Sequence, residues 1–200
     1  MKKRLFIVSL MLLLSVSLLS CGGGGGGVGG GAEVFQTVTL TAQSTVNLVD
    51  SDVATHSAGC GQDGDAVTVA PDDIDVVVTS AINPGLPASI NGSDVRLEYV
   101  KVKYKPANAT SPALPDQKYA LSSIVSPDSD LTVPIRIASD AMKLSTTLSD
   151  LRCTNTTLSY FVTLEFKGTE IDTNKSATFD TNLTVNFADF ADEVAPTPIK

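Results

Sequence analysis

Two stretches near the C-terminal end of this chain alternate apolar and mainly polar residues so regularly that only extended backbone makes use of the pattern. In the first, Leu158, Tyr160, Val162, Leu164 and Phe166 alternate with Ser159, Phe161, Thr163, Glu165 and Lys167. In the second, Ala177, Phe179, Thr181, Leu183, Val185 and Phe187 alternate with Thr178, Asp180, Asn182, Thr184 and Asn186. A period of two puts each apolar set on one face of a strand, and a second layer must cover that face. Residues 168–175 lie between the runs and are rich in turn formers, so the simplest arrangement is a long antiparallel hairpin.

Further strands are legible upstream. Leu131, Val133, Ile135 and Ile137 alternate with Thr132, Pro134 and Arg136. Pro134 has no N–H to give a ladder, which predicts an edge strand or a bulge. Val95, Leu97 and Tyr99 share one phase, and Val100, Val102 and Tyr104 the other. A slip of one residue inside a continuous strand pattern predicts a β-bulge, which returns both apolar sets to the core face. Val34–Ala42, Thr45–Val49, Ala66–Ala70 and Ile74–Ile82 are the earlier strand candidates, and residues 107–117, with Pro112 and Pro115, read as a loop. Ser139-Asp140 is placed to cap one short helix carrying Met142, Leu144, Leu148 and Leu151. The expected fold is all-β, a single antiparallel β-sandwich of seven to nine strands with one short connecting helix. The pattern resembles the immunoglobulin-like and fibronectin-like sandwiches over Ala66–Phe187, although the chain has no Trp for the core position that antibody domains fill with one. That resemblance makes Tyr160 the candidate for the tyrosine corner.

The N-terminus is of a different character. Lys2, Lys3 and Arg4 precede a predominantly apolar run from Leu5 to Leu19, then Ser20 and Cys21. This run is shorter than the roughly 20 apolar residues that span a bilayer, and it fits the basic and hydrophobic regions of an export signal. Leu18-Leu19-Ser20-Cys21 resembles the lipobox of bacterial lipoproteins. The resemblance implies removal of residues 1–20, a diacylglyceryl group on the Cys21 thiol and an acyl chain such as palmitate on its freed amino group. Gly22 in place of Asp implies an outer-membrane location. Residues 21–32 then form the lipidated Cys and a polyglycine tether, whose ten or so residues average roughly 15–20 Å end to end. The domain boundaries expected are 33–190 for the sandwich and 191–200 for a flexible tail; residues 33–64 supply either its first strands or an ordered covering segment.

Loss of the three signal cations takes the net charge from −8 to −11. Such acidity disfavours nucleic acid as a partner and offers no polybasic attraction to anionic lipid. With Cys21 lipidated, an even pair remains in an exported protein, which favours a Cys60–Cys153 disulfide. Two free thiols or a metal pair are the competing readings. A metal needs further ligands, and the chain's sole His is His56, in a polar stretch that reads as an exposed loop.

A nucleophile–imidazole arrangement would depend on that one His, so no catalytic constellation is recognisable and a non-enzymatic role is expected. Asp50-Ser51-Asp52, Asp63-Gly64-Asp65, Asp72-Asp73-Ile74-Asp75 and Asp128-Ser129-Asp130 offer oxygen ligands. Asp63-Gly64-Asp65 is the best Ca²⁺ candidate among them, although it lacks the remaining positions of an EF-hand and is equally ordinary turn sequence. Lys101, Lys103 and Lys105 form a basic stripe on one strand face, read as protection of an edge strand. The combined expectation is a lipid-anchored envelope protein that binds or scaffolds, with a membrane contact through its lipid and an envelope protein or glycan as partner. The alternatives are a Ca²⁺-dependent carbohydrate or protein adhesin, and a hydrolase using two carboxylates.

Overall fold

The computed structural model describes residues 31–190, so the lipobox, Cys21, most of the tether and residues 191–200 lie outside it. The hairpin is its backbone. β11 (Leu158–Glu170) and β12 (Ser176–Ala188) pair antiparallel from Leu158↔Phe187 to Thr169↔Ser176. Their inward residues are fully or nearly fully buried, including Tyr160, Val162, Leu164, Phe166, Val185 and Phe187. Phe166 stacks on its cross-strand neighbour Phe179 with ring centroids 5.4 Å apart, an arrangement worth about 0.5–1.5 kcal/mol beyond burial.

Around the hairpin stand β1 (Glu33–Val34), β2 (Val38–Ser44), β3 (Leu48–Asp52), β4 (Thr55–His56), β5 (Val67–Thr68), β6 (Asp72–Ile82), β7 (Val95–Pro106), β8 (Gln117–Ala120), β9 (Ile124–Val125) and β10 (Asp130–Ala138). One sheet has the order β1-β2-β6-β10 and the other β3-β12-β11-β7-β8, with β9 also on β7. β4 and β5 make a small separate ribbon. The apolar faces of the two large sheets meet in one core, and Tyr104 joins them directly by donating its hydroxyl to the Ile137 carbonyl at 2.5 Å. Burial pushes the Tyr104 phenol far above its ordinary pKa, so it stays a donor. The order, in which β6 and β10 adjoin in one sheet and β7, β11 and β12 in the other, agrees with an immunoglobulin-like sandwich.

Three local expectations meet their physical cause here. The phase slip is a bulge: Lys167 opposes Tyr99 while Gly168 opposes Leu97, leaving Glu98 as the extra residue. Gly168 belongs to β11 rather than to the turn, paired with Leu97 and Ala177, and a Cβ there would stand 2.9 Å from Val95 Cγ1 and 3.4 Å from Phe35 Cζ. β10, with Pro134, is the edge of its sheet and carries a second irregularity between Arg136 and Ala138.

Other expectations are corrected. The sandwich is not wholly antiparallel, since β3 runs parallel to β12 from Thr184↔Leu48 to Ala188↔Asp52. The chain leaves one sheet and enters the other across residues 45–47: Thr45 N–H still donates to Asp75 O, while Asn47 O already accepts from Thr184 N–H. Twelve strands are present among the described residues, several of them only two residues long. The single helix is two one-turn helices, α1 (Asp140–Lys143) and α2 (Thr146–Ser149). Ser139 caps the first as expected, its hydroxyl accepting from Met142 N–H. The break leaves Leu144 exposed while Met142, Leu148 and Leu151 are buried. Tyr160 is no tyrosine corner: its hydroxyl reaches 48 residues back to Pro112 O at 2.8 Å, pinning the loop between β7 and β8. Residues 33–56 are integral, supplying β1–β4.

Two charges are buried in this frame. Lys143, only 2% exposed, pairs with Asp72 Oδ2 at 2.9 Å and donates to Asp52 O at 2.7 Å, holding α1 against the start of β6 and the end of β3. Glu170, at the end of β11 and 0% exposed, accepts from Thr37 N–H at 2.8 Å and from the hydroxyls of Thr37 and Thr173. Thr37 Oγ1 in turn accepts from Ser93 N–H at 2.8 Å, so one carboxylate gathers three separate chain segments.

Candidate functional site

The pole opposite the β11–β12 turn carries the most concentrated chemistry among the described residues. β12 ends there at Ala188, β11 begins there at Leu158, and the β4–β5 ribbon with its loop is joined to their flanks by His56–Asp189 and by Cys60–Cys153. The loop joining β4 to β5 turns through Gly59, Gly61 and Gly64, each with positive φ, and Cys60 sits between the first two. Cys153, also at positive φ (58°), follows α2 and is joined to Cys60 by a disulfide, with Cα atoms 5.5 Å apart. A non-glycine residue in the left-handed region costs roughly 1 kcal/mol or more, which the surrounding structure must offset.

His56 is buried in this pole rather than exposed in a loop. Its Nδ1 lies 2.5 Å from Asp65 Oδ2, and its Nε2 lies 3.4 Å from Asp189 Oδ2 and 3.7 Å from Cys60 Sγ. A carboxylate can only accept, so Nδ1 carries the proton it shares with Asp65. That hydrogen bond, together with Ala58 N–H donating to Asp65 Oδ1 at 3.1 Å, holds the Asp65 carboxyl below the usual carboxylate range. Asp189 accepts the Cys153 N–H. Together these groups border a cleft of about 360 Å³ lined by His56, Cys60, Cys153, Asn155, Asp189 and Phe190.

The ligand-type atoms of His56, Cys60, Cys153 and Asp189 all lie within 4.8 Å of one another. While Cys60 and Cys153 are bonded to each other, neither is a thiolate, so metal ligation by this group requires the dithiol.

The structure distributes the other candidates. Asp63 is exposed on the loop, and Asp65 faces His56 instead of pairing with it. Asp72 and Asp52 serve Lys143, Asp73 pairs bidentately with Arg136 at 2.9 and 3.1 Å, and Asp128 caps Ile82 N–H. Of the lysine stripe, Lys101 is flanked on both sides, by β11 and β8, whereas the β8 ladder stops at Val102 and leaves Lys103 and Lys105 on a stretch of β7 that only β11 pairs. Lys101 pairs with Asp116 at 3.0 Å and Lys103 with Glu165 at 2.5 Å, while Lys105 is exposed.

Sequence reasoning missed the roles of His56 and Asp189. The available signal was position: the chain's one His stands four residues before Cys60. Asp189 gave none, being brought to the cleft only by the length of β12. The chain matches no family model and none of the curated proteins.

Proposed function

We propose that this chain is a lipid-anchored protein of a bacterial cell envelope whose β-sandwich works by binding, without catalysis, through the cleft-bearing pole. The observation that carries this reading is the lipobox-like Leu18-Leu19-Ser20-Cys21 with its glycine-rich continuation. The position of the attachment supports it. Gly31 adjoins Asp180, four residues into β12, and Lys175 in the β11–β12 turn donates to Val34 O at 2.9 Å, so the chain enters the domain in its turn-side half and runs toward the turn. Asp180 is opposite Glu165, and the stretch of β11 from Glu165 back to Leu158 separates this entry point from the cleft, a rise of about 23 Å at 3.3 Å per residue. A tether averaging roughly 15–20 Å then holds the turn pole near the bilayer and gives the cleft the outer reach. An outer-membrane location is part of the same proposal, as is an envelope protein or glycan as partner.

Photo-cross-linking in intact cells tests the binding role. A photoreactive side chain at the exposed Asn155, beside the cleft, is expected to give a discrete cross-linked species. The same group at the exposed Asp172, in the turn, is expected to give none. Recovery of the uncross-linked protein alone from both positions contradicts the binding role.

A further inference from the structure

Two cysteines alone do not make a metal site, and the fold brings the two further ligands they would need. His56 Nε2, Cys60 Sγ and Asp189 Oδ2 stand 3.7, 3.4 and 3.7 Å apart around the triangle they form. A tetrahedral Zn²⁺ site with bonds of about 2.0–2.3 Å has ligand–ligand edges of about 3.3–3.8 Å. Three edges of such a tetrahedron are therefore already in place; Cys153 Sγ, held against Cys60 Sγ by the disulfide and within 4.8 Å of the other ligand atoms, reaches the fourth corner once the bond is opened and the two sulfurs separate to about 3.7 Å. We propose that reduction of the Cys60–Cys153 disulfide converts this cleft into a site for Zn²⁺ or a similar tetrahedral cation, bound by His56 Nε2, Cys60 Sγ, Cys153 Sγ and Asp189 Oδ2.

Two features beyond the ligands favour a cation. Asp65 accepts from His56 Nδ1 at 2.5 Å and is itself fixed by Ala58 N–H, the carboxylate–histidine pairing that orients metal-bound imidazoles toward the ion. Charge is the second. Opening the disulfide places two thiols beside Asp189 with Asp65 behind the ring. A bare Cys60 thiolate 3.7 Å from the Asp189 carboxylate would be repelled, which weighs against a free nucleophile and for a thiolate neutralised by metal. Both cysteines are exposed, so reductant and ion have access.

The chemistry balances with a dithiol as reductant. It gives two electrons and two protons to the Cys60–Cys153 bond and becomes a disulfide itself, and each protein thiol then loses its proton to solvent as it binds the metal. None of this depends on the lipid anchor.

The test uses the chain carrying Cys21→Ser, so that only two thiols remain, reduced with dithiothreitol that is removed anaerobically before Co²⁺ is added. The expected result is one Co²⁺ per chain, with a thiolate-to-cobalt charge-transfer band and intense tetrahedral visible bands, both abolished by Zn²⁺. The oxidised form of the same protein should show neither. Asp65→Asn should weaken binding about 10–100-fold while keeping the tetrahedral bands, and His56→Ala should weaken binding and shift them. Equal binding by oxidised and reduced protein, an octahedral spectrum, or unchanged affinity in His56→Ala overturns the proposal. So does a reduced chain that loses its β-sheet circular dichroism and does not regain it with Zn²⁺. The oxidised–reduced comparison needs no cleft substitution, so a His56 variant that misfolds does not blunt it.

Discussion

Replacing Cys60 and Cys153 together by serine is expected to destabilise the domain by about 4–5 kcal/mol, the largest effect of any change outside the core. The two residues are 93 apart in sequence, and a cross-link closing a loop of that size removes about this much free energy from the unfolded ensemble in the chain-entropy account. The contribution also has a local side. The disulfide ties the glycine-rich loop after β4, which buries little of its own, to the turn entering β11. Without it, that loop is held chiefly by His56–Asp65 and by the β4–β5 ribbon. Denaturant titration of oxidised protein against the double variant measures the difference, which corresponds to roughly 10–20 °C in Tm for a domain of this size. A difference under about 1 kcal/mol would mean that the loop is already restrained in the unfolded chain.

The second large effect lies at the other pole. Glu170→Ala should cost about 3–5 kcal/mol at neutral pH, because it strands the buried Thr37 N–H and the hydroxyls of Thr37 and Thr173 without their acceptor. Burial by itself works against the charge of Glu170. The hydrogen bonds from Thr173 and Thr37 outweigh it and hold the carboxyl below its ordinary range. A folded-state value below the unfolded one stabilises the domain above the unfolded carboxylate pKa of about 4.3, and the contribution disappears as pH falls through the folded value. Asp65, Asp73 and Glu98 are depressed as well, so Glu170 is isolated by difference. Between about pH 5 and pH 3 the wild type should lose more stability than Glu170→Gln, whose side chain does not titrate. Parallel pH curves for the two proteins would show that the Glu170 carboxyl has the same pKa folded and unfolded.

Much of the sandwich was legible because burial on one face of a strand leaves a period-two trace. The hairpin, the bulge at Glu98 and the edge position of β10 each follow from a pattern of single residues: strict alternation, a one-residue slip and a proline. The parallel seam of β3 on β12 left no such trace, since alternation says which face is buried and nothing of the partner's direction. The lysine stripe misled in part for a related reason. A stretch of strand flanked on both sides shows the same lysines as one at an edge, and only the extent of β8, which covers Lys101 and stops short of Lys103, tells them apart.

The cleft was half visible. Cysteine parity pointed to the pairing of Cys60 with Cys153, because parity is a property of composition. The burial of His56 was hidden, since its immediate neighbours Thr55 and Ser57 are polar and the ring is enclosed by Asp65 and Asp189, which lie further along the chain. Polar neighbours in sequence describe the local chain, whereas burial here comes from the meeting of the ribbon with the ends of β11 and β12.

Membrane attachment through Cys21 is the claim on which the functional reading turns, and fractionation after Cys21→Ser tests it most directly. The wild-type chain should sediment with membranes and partition into detergent, while the substituted chain, with its β-sandwich intact, should be recovered in the soluble fraction. A Cys21→Ser chain that stays with the membrane in the same proportion as the wild type would contradict the account.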